Sequence, residues 1–191
     1  VNVRKLIKIL ADAEKLKNNT RHSWTSSGRQ ESIAEHSWRL SLMAYLVKDE
    51  FPDADINKVI LMSIFHDMGE AFTGDIPAFY KTESDEFTER QKLQQFLGDL
   101  PEPYNEELSA LYNEMNEQKT VEAKIFRALD RMEAIIQHNE ADISTWLPLE
   151  YELNLVYGEK EAEFSEYIKE LKQAVNEDTL MKIRHAGESV S

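Results

Sequence analysis

The sequence has no cysteine, so disulfides and thiolate metal ligands are both excluded. That composition fits a reducing cytoplasm. Glycine and proline are scarce, with 6 and 5 among 191 residues, and no linker, repeat or low-complexity tract stands out. Long apolar runs are missing too. The longest, such as VILMSIF (59–65), are far too short to span a bilayer. No basic segment followed by an apolar one opens the chain, so no secretory leader is expected. Positive charge is in deficit: 22 Lys and Arg face 36 Asp and Glu, a formal net charge of −14. A broad nucleic-acid or anionic-membrane surface is thereby disfavoured. Against these absences stand 41% hydrophobic and 30% charged residues, the balance of a folded globular chain, and we expect one domain over residues 1–191. The sign of the charge is also uneven. Arg4, Lys5, Lys8, Lys15, Lys17, Arg21 and Arg29 crowd the N-terminal part, enough to make a local pocket for a small anion.

Nearly every segment has helical period, and no run of strand alternation is convincing. The expected fold class is therefore all-α, a compact helical bundle. The pattern predicts helices at about 2–18, 33–49, 55–71, 84–98, 104–116, 120–140 and 147–157, and a last one at 160–176 continuing after a break to 184. Ser32 and Glu35 match a capping box, and Thr120 can cap the helix that begins VEAKIF. Gly74 and Pro77 close the 55–71 segment as breakers.

Facing follows from 100° per residue. On the 33–49 helix, His36 lies within the stripe of Ile33, Leu40, Met43, Ala44 and Val47, so it points inward. On the 55–71 helix, His66, Asp67 and Glu70 continue the face of Ile56, Val59, Ile60 and Ser63. Adjacent His66 and Asp67 can reach one ion lying off the helix, and Glu70, one turn on, a water beside it. On the 120–140 helix the stripe is Val121, Ile125, Leu129, Met132 and Ile136. Asp130 lies at its edge and Glu133 nearer its centre, and facing does not choose between them.

Each feature alone has an ordinary explanation. A single inward histidine is usually a hydrogen-bonded core residue, Asp75 can serve the turn after Gly74, and Trp24, Trp38 and Trp146 are by default packing residues. Together they are harder to dismiss. Two inward histidines with several inward carboxylates leave a core full of charge, a cost that a divalent cation offsets. Mixed imidazole and carboxylate donors suit Mn, Fe, Co, Ni or Zn, with Mg as a further candidate.

The segments EHSWRLSLMA, HDMGEAFTGDIP and AKIFRALDRMEAIIQHNE closely resemble the HD-domain metal-dependent phosphohydrolases, and within them the 5′-deoxynucleotidases. The likeness runs from about Arg21 to Glu140; the C-terminal helices carry no motif. The resemblance implies a metal held by His36, His66, Asp67 and Asp130, which selects Asp130 over Glu133. It implies Glu70 as base or orienter of the attacking water, and Asp75 beside the sugar and reacting phosphate. Arg21, from RHSW (21–24), becomes the phosphate clamp and Trp24 the sugar wall, with His22 as the alternative for that contact. Arg29 matches a second arginine, structural or phosphate-facing. The implied activity is hydrolysis of 5′-deoxyribonucleoside monophosphates, by a homodimer. The rivals are an HD phosphohydrolase acting on another nucleotide or phosphomonoester, and a non-enzymatic nucleotide sensor that keeps the metal for stability.

Overall fold

The computed structural model describes residues 1–77 and 79–188. Its helices are α1 (Val3–Asn18), α2 (Ile33–Leu46), α3 (Ile56–Phe65), α4 (Glu70–Thr73), α5 (Glu83–Asp99), α6 (Tyr104–Glu117), α7 (Val121–Glu140), α8 (Glu150–Val156), α9 (Glu159–Ala162) and α10 (Glu166–Glu188). The all-α expectation holds. Helix α7 is the axis of the bundle, packed against α2, α3, α6, α9 and α10. Its inward residues Ile125, Leu129 and Met132 are fully buried, as their spacing predicts. No helix among the described residues is long and apolar enough to cross a membrane.

Three departures from the expected elements shape the site. First, the stretch between the expected helices at 2–18 and 33–49 contains a hairpin, β1 (Thr20–Trp24) against β2 (Gln30–Ser32), antiparallel, with Thr20 opposite Ser32 and Trp24 opposite Gln30. Strands this short cannot display a period. The hairpin leads directly into α2, whose start is the expected capping box: Ser32 Oγ accepts the Glu35 N–H while Glu35 Oε2 accepts the Ser32 N–H.

Second, the expected 55–71 helix breaks after Phe65. The bonds from the N–H of Met68, Glu70, Ala71 and Phe72 run to carbonyls three residues back, so the chain tightens through residues 66–69. The Tyr112 hydroxyl of α6 donates to the Phe65 carbonyl at the break. Gly74 then ends α4 at φ +76°, a conformation that favours glycine, and turns the chain toward Asp75. Third, the C-terminal part is segmented differently. Helix α8 begins only after Pro148, and α10 runs unbroken to Glu188 where a break is expected near residue 176. Between α8 and α9, Gly158 adopts φ +81°, and a Cβ there would overlap Met132 Cε and lie 2.9 Å from Arg131 Cβ. Glycine thus lets the α8–α9 turn lie directly on α7. Trp38 also departs from expectation: it is exposed on α2 instead of packed, whereas Trp146 is buried.

Candidate metal centre

His36 enters from the second turn of α2 and is buried. Its Nδ1–H donates to the Glu133 carboxylate of α7, which turns Nε2 toward Asp130, 3.3 Å from Oδ1. His66 sits at the break after α3, where its Nδ1–H donates to the Ser63 carbonyl at 3.0 Å. Its Nε2 therefore faces the other way, 2.9 Å from Asp67 Oδ2 and 3.9 Å from Asp130 Oδ1. The two imidazoles meet edge to face, with centroids 5.2 Å apart.

Both Nε2 atoms are buried without a partner of hydrogen-bond geometry. Ligand atoms of His36, His66 and Asp67 lie within 4.8 Å of one another. Two imidazole nitrogens converging on two carboxylates, each ring fixed through its other nitrogen, make a donor set that suits a divalent cation. The residues fit such an ion. Sequence spacing reaches this arrangement by a slightly wrong route: His66 and Asp67 converge through a tight turn and not along one continuous helical face.

A second buried acidic group, Glu31 and Glu133 beside His36, is compensated differently. Arg21 Nη1 lies 3.0 Å from Glu31 and 3.4 Å from Glu133, and Arg39 Nε lies 2.6 Å from Glu133. Burial works to raise the Glu133 carboxyl, but His36, Arg21 and Arg39 outweigh it and hold it at about 2. Glu31 and Arg39 were not among the residues singled out from sequence, and Glu133 entered there only as the alternative to Asp130. The available signal was Glu133 itself, a carboxylate inside an apolar stripe, which must find a cation.

The ligand candidates open onto a cavity of about 520 Å³. Glu70 lines it and is nearly buried, with its backbone carbonyl held by Asn19 Nδ2 at 2.7 Å. Burial first, then the charges of Asp67, Asp75 and Glu89, push the Glu70 carboxyl up to about 10. Asp75 Oδ2 accepts the backbone N–H of His22 at 3.3 Å, joining the loop after α4 to the hairpin. Burial raises its carboxyl as well, against the lowering charge of Arg21. Crowded carboxylates of this kind are relieved by a neighbouring cation.

Arg21 and His22 also line the cavity, whereas Arg29 and Trp24 do not. Arg29 is on the surface, paired to Glu35 with contacts at 2.5 and 2.9 Å. Trp24 borders a separate small void with Trp146, and its carbonyl accepts from Gln137 Nε2. Lys81, paired to Glu89 at 2.5 Å, is a cavity residue that sequence reasoning missed.

Comparison with known proteins identifies the family. The HD domain family matches residues 13–172. The chain is 31% identical to human 5′-deoxynucleotidase HDDC2 over 141 residues, covering 72% of this chain and 68% of that protein. It is 28% identical to the Danio rerio protein of the same name over 182 residues, 92% of this chain and 88% of that one. A crystal structure described as a predicted metal-dependent phosphohydrolase from Magnetospirillum magnetotacticum superposes with TM-score 0.79 at 26% identity, covering 94% of this chain and 93% of that one. The chain belongs to the HD-domain family of metal-dependent phosphohydrolases.

Proposed function

We propose that this hydrolase converts 5′-deoxyribonucleoside monophosphates to deoxyribonucleosides and phosphate. The observation that carries the reading is the pair of orphaned Nε2 atoms beside Asp67 and Asp130, at one end of a cavity that also holds Glu70, Asp75 and Arg21. His36, His66, Asp67 and Asp130 would hold one divalent ion, drawn from Mn, Fe, Co, Ni, Zn or Mg. Bound there, such an ion supplies polarisation of a phosphoryl oxygen and acidification of a water.

The remaining work belongs to side chains. Glu70 orients the attacking water and takes its proton. Neutralising Asp67 removes one of the charges that keep the Glu70 proton on, which moves this carboxyl toward a base. Arg21 is engaged only through Nη1 among the described residues, so the rest of its guanidinium fork is available to phosphate. Asp75 lies beside the sugar and reacting phosphate, with its Oδ2 bonded to the His22 backbone. We assign the sugar contact to His22, because His22 lines the cavity and Trp24 does not.

The test is phosphate release from each ribo- and deoxyribonucleoside monophosphate, with each divalent ion and with chelator. Deoxynucleotides are expected to be the faster substrates, and chelation to abolish turnover. Faster release from ribonucleotides or sugar phosphates would overturn the assignment.

We further propose a cytoplasmic homodimer. The exposed side chains Trp38, Leu42 and Tyr45 on α2, spaced as one helical face, adjoin α3 with its exposed Leu61 and Ile64. Large apolar side chains gathered on two packed helices suit a subunit contact. Light scattering on the purified protein is expected to give twice the 22.2 kDa chain mass. A monomer at micromolar concentration would refute it.

A further inference from the structure

The cavity extends beyond the metal end along α7. Asp130 and His138 both line it, eight residues apart on one face of that helix, which separates them by roughly 12 Å along the axis. The far end carries a polar cluster that phosphate chemistry leaves unused: His22 of β1, His138 of α7, and Glu150 and Asn154 of α8. Glu150 is buried, with Oε1 3.1 Å from His22 Nε2 and 3.7 Å from His138 Nδ1. Its Oε2 accepts the Leu147 N–H at 2.6 Å. Asn154 Nδ2 donates to His138 Nδ1 at 3.4 Å. Lys172, buried in α10, holds the Asn154 carbonyl at 3.1 Å, so α8 is fixed from behind.

The bond from Asn154 sets the His138 tautomer, while the contact with Glu150 occupies Nε2 of His22 and leaves its Nδ1 unpaired. His138 accepts at Nδ1 from Asn154, which leaves Nε2–H as a donor. Burial holds the His138 imidazole neutral, down at about 4, against the raising charge of Glu150. Neither remaining nitrogen has a hydrogen-bond partner among the described residues. The two rings lie 6.0 Å apart between centroids, each with one nitrogen still to be paired. A hydroxyl group, which donates once and accepts as well, can accept from the His138 Nε2–H and pair with His22 Nδ1.

We propose that His22 and His138 form a subsite for the 3′-hydroxyl of the substrate sugar, with Glu150 as the residue that positions both rings. The inference rests on the nucleotide reading above and gives the C-terminal helices a part in substrate recognition. With phosphate held at the Asp130 end, the sugar and base extend along α7 toward His138.

The test pairs a 5′-deoxynucleoside monophosphate with its 2′,3′-dideoxy counterpart on wild type, His138→Ala, His138→Gln and Glu150→Gln. In wild type, losing the 3′-hydroxyl is expected to lower kcat/KM by about tenfold or more, the value of one buried hydrogen bond. In His138→Ala and Glu150→Gln that ratio is expected to collapse toward unity, because the hydroxyl has lost its partner. His138→Gln, whose amide can still donate, is expected to restore part of it. Equal rates on both substrates in wild type overturn the subsite alone, as does a full penalty retained in both His138→Ala and Glu150→Gln. No turnover of any nucleotide by wild type, with release from other phosphomonoesters, overturns the parent reading instead. Because the ratio compares two substrates on one protein, partial loss of folded enzyme does not alter it.

Discussion

Glu70→Gln is expected to lower kcat by about 10²–10⁴-fold while the protein keeps its metal, whereas Asp67→Ala loses both. Asp67 belongs to the group of ligand atoms within 4.8 Å of one another, and Glu70 does not. Glutamine preserves the shape of a nearly buried side chain whose backbone is already anchored by Asn19, so the variant should fold. What it removes is a proton acceptor. Metal analysis of both variants beside a phosphate-release assay separates the two roles. Wild-type turnover in Glu70→Gln, or a full metal complement in Asp67→Ala, would reverse the assignment. A pH signature accompanies the first variant. The folded carboxyl of Glu70 stands at about 10 in the metal-stripped protein, above the 4.5 of an ordinary glutamate. The stability it contributes is thus complete below pH 4.5 and lost as pH rises toward 10. Metal-free Glu70→Gln should lack that decline, which urea titrations at several pH values would read.

The ligand candidates were legible because their cost was legible. His36 stands inside an apolar stripe, and His66 and Asp67 end an apolar run, so each demands a partner that sequence can only imply. Choosing Asp130 over Glu133 took the family resemblance, because helical facing does not choose between them. The structure shows why both are inward: Asp130 faces His36 Nε2 and Glu133 faces its Nδ1. The break after Phe65 was invisible, since the hydrophobic period runs on and Gly69 alone is weak punctuation. The hairpin was invisible for another reason: five- and three-residue strands carry too few positions to alternate. That loss mattered, because the hairpin carries Arg21 and His22 to the cavity and Trp24 beside Trp146. The His22, His138 and Glu150 cluster joins β1, α7 and α8, and only tertiary packing brings them together.

Glu133 carries the second large effect. Its carboxylate is fully buried among His36, Arg21 and Arg39, so truncation to alanine removes a shared partner from all three, leaving Arg21 with Glu31 and Arg39 with Glu140. Removing one partner from such a buried arrangement costs about 3–5 kcal/mol, a large fraction of a domain's stability. Glu133→Ala is therefore expected to lower the thermal midpoint strongly. Glu133→Gln is the more informative change, because its amide oxygen can still accept from His36 or Arg39. That variant should fold, yet bind the divalent ion about 10–100-fold more weakly, since the carboxylate makes the His36 imidazole a better donor. The two measurements divide the roles of one residue. If Glu133→Gln binds metal as tightly as wild type, the carboxylate serves only to balance Arg21 and Arg39. If Glu133→Ala is as stable as wild type, the ion pairs contribute nothing that solvent does not replace. Acidification gives an independent reading of the same charge. The folded carboxyl is held at about 2, below the 4.5 of an ordinary glutamate. Its stabilisation is complete above pH 4.5 and fades as pH falls toward 2. Wild type should lose stability across that interval more steeply than Glu133→Gln, which has no proton to take up there.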